Sequence, residues 1–233
     1  MQAPRRQFDA NPGLARILVE EATVEFVELF LVHFCALGVR MTEFVESWIR
    51  RAGNRCEEIG LVPLGRALRK HAIAESGHHL MMIRDVDWLV ERWNSRHTDD
   101  PLDGEALQAI QVTPGVQRYI DVHESNIVGP TPYAQVAIEY EIEMLPLRHG
   151  QRFVQKCIAV CGPEIIKGLS FLTEHIEIDV SHTKFNGLQL GKVLEEDPNR
   201  LPVLVQAGSA ALQAYAEFLQ DCLALTESRI QRQ

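Results

Sequence analysis

Apolar positions recur along most of the chain at the three- and four-residue spacing of an α-helix, and no stretch alternates convincingly as a β-strand does. The residues NPG at 11–13 are a helix start signal, and the apolar run behind them predicts one long helix that ends near Gly38. The same spacing predicts further long helices over about 42–58, 64–93 and 203–230. We therefore expect an all-α fold, a helical bundle of about seven to nine helices.

Glycine, proline, asparagine and aspartate mark the turns between these helices. The predicted loops and turns are NSRHTDDPLDG (94–104), Asn186-Gly187 and EEDPNRLP (195–202). Short helical pieces are expected before Asn126, and three more helices over about 135–150, 153–161 and after Gly162-Pro163. The chain has no internal repeat, no low-complexity tract and no linker, so we expect residues 1–233 to form a single domain.

Composition narrows the classes of partner. The chain has 233 residues and a net charge of −9, and no cluster of Lys and Arg reverses that balance. A nucleic-acid or anionic-membrane partner would require a basic face, so neither is expected. The apolar run 24–38 is interrupted by Glu25, Glu28 and His33, the N-terminus lacks a signal-peptide core, and five irregularly spaced cysteines suit a reducing compartment. We expect a soluble, cytoplasmic protein.

The segment HIEIDVSH (175–182) carries the strongest chemical signal. Each helical residue turns the direction of projection by about 100°, so His175, Asp179 and His182 point to one side of a helix. Apolar residues such as Ile176 separate them. Buried polar groups are costly unless they are satisfied, so this stripe indicates either a buried hydrogen-bond network or a metal site.

A second stripe lies on the predicted helix 64–93. His71, Glu75 and His78 follow at offsets of zero, four and seven, and Glu75 with His78 forms an E-x-x-H pair. Such a pair is a recurrent way for one helix to supply a carboxylate and an imidazole to an iron centre. The stripe therefore offers ligands that match those of the segment 175–182.

A third helix adds carboxylates. In EYEIEM, Glu139 and Glu143 share a face, and we favour Glu143 as a carboxylate that bridges two metals. The complete ligand set is Glu75, His78, Glu143, His175, Asp179 and His182, with His71 as a less certain seventh member. Nitrogen and oxygen ligands without a thiolate suit iron or manganese better than structural zinc. Six ligands suit two metals that share a carboxylate.

The three segments together resemble the haem-oxygenase-like di-iron oxidases, within the superfamily that also holds the TenA-type thiaminases and PqqC-like oxidases. The matching residues are Glu75 and His78 (E-x-x-H), Tyr140 and Glu143 (Y-x-x-E), and His175, Asp179 and His182 (H-x-x-x-D-x-x-H), with the lead-in FLTEH at 171–175. The chain departs from the pattern at His71, where several family members carry a glutamate. His71 is then an additional ligand, a partner of a ligand, or a sign that Glu75 alone supplies the oxygen ligand of this segment.

The resemblance implies a haem-oxygenase-like fold and two Fe²⁺ ions per chain, with O2 as co-substrate. It implies an oxidoreductase that performs N-oxygenation, desaturation or oxidative C–C cleavage on an amino acid or fatty acid derivative. No catalytic residue beyond the metal ligands is assigned. The expected partners are a small-molecule substrate, an external electron donor and a second copy of the chain in a homodimer. Arg69, Lys70, Arg84 and Arg148 are candidates to bind a substrate carboxylate.

Two alternatives remain open at this point. The first is a metal-independent TenA- or PqqC-like enzyme or ligand-binding protein of the same fold, in which the His and Glu side chains act as acids and bases. Its TenA-like form requires a cysteine nucleophile, and none of the five cysteines lies in a ligand stripe. The second is a haem protein, for which His33 is the candidate proximal ligand.

Overall fold

The computed structural model describes residues 1–18 and 21–232, and this part of the chain contains helices and turns but no strand. The α-helices are α1 (Gln2–Asp9), α2 (Pro12–Leu18), α3 (Val24–Thr42), α4 (Val45–Glu58), α5 (Val62–Ala74), α6 (His79–Asn94), α7 (Gly104–Gln108), α8 (Pro114–Val128), α9 (Gln135–Leu145), α10 (Gln151–Cys161), α11 (Ser170–Glu196) and α12 (Leu201–Ile230). Short 3-10 segments cover Pro132–Ala134, Pro163–Gly168 and Pro198–Arg200, and a π-helical turn, Pro146–Gly150, joins α9 to α10. The predicted all-α fold class is confirmed. Among the described residues nine α-helices are longer than eight residues, which agrees with the predicted number.

Helix α3 forms the centre of the bundle. Its residues are buried almost all round, including Leu29, Leu31 and Val32 at 0% exposure. Full burial of one such side chain contributes about 1.5–3 kcal/mol to stability. Helices α6, α10 and α12 pack against α3. This mainly apolar helix is therefore a core helix, and no helix of the described residues is long and apolar enough to cross a membrane.

The predicted long helix from residue 11 to Gly38 is wrong, because the chain is not helical at residues 21–23. Residues 19 and 20, which this prediction also covered, lie outside the described residues. Thr23 begins α3 as an N-cap, and its Oγ1 accepts a hydrogen bond from the backbone N–H of Phe26 at 3.2 Å. A Thr side chain satisfies one of the free amides at a helix start, and this favours a new helix at that point.

The predicted helix over 64–93 is also interrupted. Helix α5 ends at Ala74, the residues Glu75–His78 form a turn, and α6 begins at His79. Gly77 has a φ of +84°, a left-handed conformation that glycine adopts without strain. Glu75 and His78 therefore lie in a tight turn between two helices, and they are not part of one helical stripe.

The predicted turn at Asn186-Gly187 is wrong, because α11 continues through it to Glu196. Asn186 is fully buried, and its side-chain amide is bonded across to α9. Gly187 faces Tyr140 of α9, and a Cβ there would be in ordinary contact with the ring at 3.4 Å. Tertiary contacts thus override the local turn preference of the Asn-Gly pair.

Helix α11 is anchored to α6 at its first residues. The buried carboxylate of Asp85 accepts hydrogen bonds from the backbone N–H groups of Ser170 and Phe171, both at 2.9 Å, and from Ser170 Oγ at 2.7 Å. Negative charge at a helix N-terminus is favourable, because the free N–H groups and the helix dipole point to it. This contact fixes the position of α11 relative to α6 and the turn Glu75–His78.

Candidate metal centre

Four parts of the fold supply the predicted metal ligands: the end of α5, the turn between α5 and α6, the C-terminal half of α9, and the middle of α11. Six of the seven predicted side chains form two groups whose donor atoms lie within 4.8 Å of one another in each group. One group is His71, Glu75, Glu143 and His182, and the other is Glu75, His78 and His175. Glu75 belongs to both. Sequence reasoning favoured Glu143 as the shared carboxylate, whereas the structure puts Glu75 between the two groups.

The first group lies between α5, α9 and α11. His71 Nε2 is 2.9 Å from Glu143 Oε1, and His182 Nδ1 is 2.9 Å from Glu75 Oε1. His182 Nδ1 also lies 3.8 Å from Glu143 Oε1. Two imidazole nitrogens and two carboxylates thus lie close together, and His71, the less certain member of the predicted set, is among them.

The second group is built around an imidazole with a defined tautomer. His175 Nδ1 is 2.7 Å from the backbone carbonyl oxygen of Phe171, which can only accept, so Nδ1 carries the hydrogen. Burial lowers the pKa of His175 to about 4. The ring is therefore neutral, and its Nε2 keeps a free lone pair. His78 stands edge-on to this ring at a centroid distance of 4.9 Å, and its Nδ1 lies 2.9 Å from Glu75 Oε2.

Asp179 lies beside both groups but is in neither. It is 1% exposed, and neither of its carboxylate oxygens has a hydrogen-bond partner. Its Oδ1 is 3.4 Å from His182 Nδ1. Burial raises the pKa of this carboxyl. A buried carboxylate without donors is expensive, so Asp179 needs a counter-charge at this place.

Several donor atoms of the two groups are buried and lack hydrogen bonds. They are Glu75 Oε1, His78 Nδ1 and His182 Nδ1. Each lies close to another donor atom of its group, yet the pairs are not aligned as hydrogen bonds. Buried polar atoms are nearly always paired in folded proteins, and cations between these atoms would satisfy them together. The donor set of imidazoles and carboxylates fits iron or manganese.

In the metal-free protein, groups of the cluster hold protons that a bound cation would displace. Burial, followed by the charges of Glu75 and Asp179, raises the pKa of Glu143 well above its usual range. Asp179 and Glu75 raise the pKa of His182 to about 10. Burial also acts to raise the pKa of Glu75, but its contacts with His182 and His78 outweigh burial and lower it. The metal-free cluster thus retains protons that ligation would release.

Asn186 is a site residue that sequence reasoning missed. Its Nδ2 donates a hydrogen bond to Glu143 Oε2 at 2.7 Å, while His71 is near the other oxygen of that carboxylate. The sequence did contain a signal for Asn186, because position 186 follows His182 by four residues and therefore lies on the same side of α11. The Asn-Gly turn preference concealed it. Partners of this kind orient a ligand and raise metal affinity.

A cavity of about 80 Å³ opens onto the donor groups. Its apolar lining includes Met41, Val45, Met82, Ile142, Phe171 and Phe218, and its other polar residues include Glu139, Tyr119 and Tyr215. None of the candidate substrate-binding cations lines it: Arg69 pairs with Glu57, Arg148 pairs with Asp9, and Lys70 and Arg84 are exposed. The predicted role of those four cations therefore gains no geometric support.

A second apolar cavity of about 70 Å³ lies next to the first. The two share Pro146, Phe171 and Tyr215 as lining residues. Its remaining lining comes mainly from aromatic and aliphatic side chains such as Phe8, Phe30 and Phe153. The donor groups thus face a largely apolar space.

The residues named for the alternative functions lie elsewhere. His33 Nδ1 is 3.1 Å from Thr226 Oγ1, and His33 is not among the residues that line the cavity. All five cysteines belong to the described part of the chain; they are buried, and none lines either of the two cavities. Tyr140, the first residue of the Y-x-x-E match, lies beside Arg5 and does not line the cavity.

The sequence matches no family model and no curated protein. A domain of unknown function with a haem oxygenase-like fold from Shewanella denitrificans superposes with a TM-score of 0.77 at 15% identity, over 99% of this chain and 92% of that one. The chain has a haem oxygenase-like fold. A TenA homologue from Pseudomonas syringae pv. tomato is also similar, with a TM-score of 0.63 at 16% identity over 95% of this chain and 93% of that chain.

These similarities concern the fold. A haem oxygenase-like fold does not select one reaction, because the same scaffold supports different chemistry in different sites. The predicted fold name is therefore confirmed, and the metal ligands and the di-iron activity stay predictions. The choice of function depends on the two donor groups and the cavity.

Proposed function

We propose that this protein is an O2-activating non-haem di-iron oxidase or oxygenase that acts on a small metabolite. The observation that carries the proposal is the position of Glu75, a carboxylate common to two groups of imidazole and carboxylate donors that open onto one cavity. Iron bound there would supply the electrons and the open coordination positions that O2 requires. The rest of the chemistry depends on the residues of this chain.

Each ligand has a distinct role in the proposal. His71, Glu143 and His182 would hold one iron, His78 and His175 would hold the other, and Glu75 is common to both groups. Asp179 would place a further negative charge beside the first iron, next to His182. The hydrogen bond from His175 to the Phe171 carbonyl keeps its Nε2 free for a metal, and the bond from Asn186 holds Glu143 in place.

The cavity favours a substrate with a substantial apolar part. Met82, Ile142 and Phe171 give the space beside the donor groups an apolar lining, and no Lys or Arg is among the lining residues of this cavity. A fatty acid derivative, or an amino acid with an apolar side chain, fits this lining. The metals themselves would then be the positive charges nearest to a substrate carboxylate. Exclusion of water protects a reactive site from side reactions.

Anaerobic reconstitution with ferrous iron tests the proposal. We expect about two irons per chain, because two donor groups are present. Exposure to O2 in a single turnover should consume O2 in proportion to the bound iron, and a panel of amino acids and fatty acids should accelerate that consumption when it contains the substrate class. Glu75→Ala is the matched variant, and it should bind no iron pair and consume no O2.

A metal-independent enzyme is the competing function. The TenA homologue shares the fold, but the five cysteines of this chain lie outside the cavity, so no cysteine nucleophile is available there. Full turnover of a substrate in excess chelator, with no metal retained, would replace the di-iron proposal by this one. Loss of turnover in chelator and recovery with ferrous iron would support the di-iron proposal.

A further inference from the structure

Glu139 is a carboxyl group of the cavity that neither donor group uses. It lies on α9 one turn before Glu143, is 5% exposed, and is among the residues that line the cavity. Burial of an idle carboxyl is costly. A buried carboxyl beside the donor groups that is not a metal ligand therefore needs another explanation.

Two buried residues hold Glu139 in place. The side-chain amide nitrogen of Gln135 donates to Glu139 Oε1, and the same nitrogen lies 2.7 Å from His123 Nδ1. Gln135 and His123 are both 0% exposed. An amide NH2 group only donates, so His123 Nδ1 accepts, and the donor side of the Gln135 amide faces Glu139.

His123 is itself fixed by aromatic neighbours. Its ring stacks on Trp48 at 4.2 Å with an interplanar angle of 12°, and Tyr119 packs against it at 4.7 Å. Burial lowers the pKa of His123 to about 3, so the ring stays neutral and keeps its accepting nitrogen. Gln135 and His123 are therefore positioning residues for the carboxyl group of Glu139.

We propose that Glu139 is a general acid of the cavity, positioned by Gln135 and His123, that gives a proton to the molecule bound beside the metal ligands. The proposal rests on the proposed function, since an enzyme that reduces O2 consumes protons at the site where the reduction takes place. In the step, the O–H bond at Glu139 Oε2 breaks, and the proton joins a basic oxygen or nitrogen atom of the bound molecule. Glu139 is left as a carboxylate and regains a proton from water when the product leaves.

The surroundings of Glu139 favour its neutral form. In the metal-free protein burial, followed by the charge of Glu143, raises its pKa to about 8; a bound cation would oppose this shift, so the zinc-loaded protein is the state to test. The titratable groups that face it from the neighbouring elements are Glu143, His71, Glu75, His123 and Tyr119. A neutral carboxyl near neutral pH has the protonation state that a proton donor needs, and a positioned general acid contributes about 10²–10⁴ in rate.

Infrared spectroscopy of the zinc-loaded protein tests the proposal without turnover. Zinc occupies the donor groups without redox chemistry, and a protonated carboxyl then gives a C=O stretching band. We expect this band in the wild-type protein and not in Glu139→Gln. The control Glu141→Gln should retain it, because Glu141 lies on the same helix but is ion-paired with Arg5. Gln135→Leu should shift the band without abolishing it, since it removes one hydrogen bond to the carboxyl.

Turnover of the iron-loaded enzyme supplies the second readout. Glu139→Gln should keep about two irons per chain and lose about 10²–10⁴ in rate. A band that persists in Glu139→Gln, a rate within tenfold of wild type, or loss of iron from this variant would each overturn the proposal. If the wild type binds no zinc, the proposed function fails separately. The difference spectrum between metal-free wild type and Glu139→Gln then still decides whether Glu139 is neutral.

Discussion

Glu75 Oε1 lies 2.9 Å from His182 Nδ1, and neither atom has a hydrogen-bond partner. Glu75 is in the turn between α5 and α6, and His182 is on α11, so two distant segments converge at this contact. In the metal-free protein His182 is protonated beside this carboxylate, and release of that proton would leave both atoms able to bind a cation. This arrangement is expected of ligands placed around a cation, and it motivates the predictions below.

The shared position of Glu75 predicts an unequal response to ligand removal. Glu75→Ala should abolish binding of both metals, whereas His71→Ala and His175→Ala should each reduce the stoichiometry from about two to about one. Each of these histidines belongs to a single donor group. Elemental analysis after anaerobic loading and desalting measures this. Equal loss of metal in all three variants would contradict the assignment of separate groups.

Removal of the Asp179 carboxylate should lower metal affinity without a comparable loss of stability in the metal-free protein. Asp179→Asn replaces a buried carboxylate that has no aligned hydrogen-bond donor and lies 3.4 Å from the protonated His182. The change removes an unsatisfied group but also the attraction to His182, so we expect the stability of the metal-free variant to change by less than about 1 kcal/mol, while its metal affinity falls. Chemical denaturation with and without zinc measures both effects.

Asp85→Asn is the matched control for Asp179→Asn. Asp85 is equally buried, but it accepts three hydrogen bonds at the start of α11. Its substitution should destabilise the protein by about 1 kcal/mol, as for loss of a helix cap. A stabilised Asp85→Asn together with a destabilised Asp179→Asn would invalidate the account of both carboxylates.

The stability of the metal-free protein should fall as pH rises from 7 to 8.5. Glu139 has a pKa of about 8 and His182 a pKa of about 10, and both values are raised above those of the unfolded chain. A group with a raised pKa still holds its proton in the folded protein at a pH where the unfolded chain has lost it. The contribution of that group to the free energy of unfolding therefore falls as pH rises towards and through the pKa of the folded state. Each such group lowers the free energy of unfolding by up to about 1.4 kcal/mol per pH unit. Denaturant titrations across this range measure the slope.

The zinc-loaded protein should respond less to pH over the same range. Zinc replaces the protons of His182 and Glu143, so those two groups no longer titrate on unfolding of the loaded state in the same way. The affinity for zinc should also rise with pH, because binding releases protons. An identical pH slope with and without zinc would show that the titrating groups lie outside the metal centre.

Asn186 should control metal affinity through Glu143. Asn186→Leu removes the 2.7 Å hydrogen bond to Glu143 Oε2 and keeps a side chain of similar shape. We expect metal affinity to decrease 10- to 100-fold, the usual effect of removing a partner that orients a ligand. Asn94→Leu is the control, since Asn94 bonds to Leu102, away from the donor groups. Competition with a chromophoric chelator reports both affinities.

The sequence was sufficient for the fold class and for the convergence of the donor residues on α11. His175, Asp179 and His182 lie on an uninterrupted helix, so the spacing alone predicts their common direction. The grouping of Glu75 and His78 was anticipated for the wrong geometric reason. Helix α5 ends at Ala74, before both residues. A turn in which Gly77 has a left-handed φ then brings the two side chains to the site, and a turn has no fixed periodicity.

Features that depend on contacts between distant segments could not be predicted from the sequence. The choice of Glu75 as the shared carboxylate depends on where α11 places His182 and His175 around it. The burial of Asn186 in a helix, where its sequence suggests a turn, depends on the carboxylate of Glu143 across the interface. The apolar cavity and the position of Glu139 in it likewise arise only when α9 packs among its neighbours.

Anomalous diffraction at the iron absorption edge, from crystals loaded anaerobically with ferrous iron, tests the central claim most directly. The account predicts two anomalous peaks about 3.5–4 Å apart in the cavity, the usual spacing of a two-metal site, with Glu75 in contact with both. His71, Glu143 and His182 should surround one peak, and His78 and His175 the other. A single peak, or peaks that do not contact Glu75, would contradict the account.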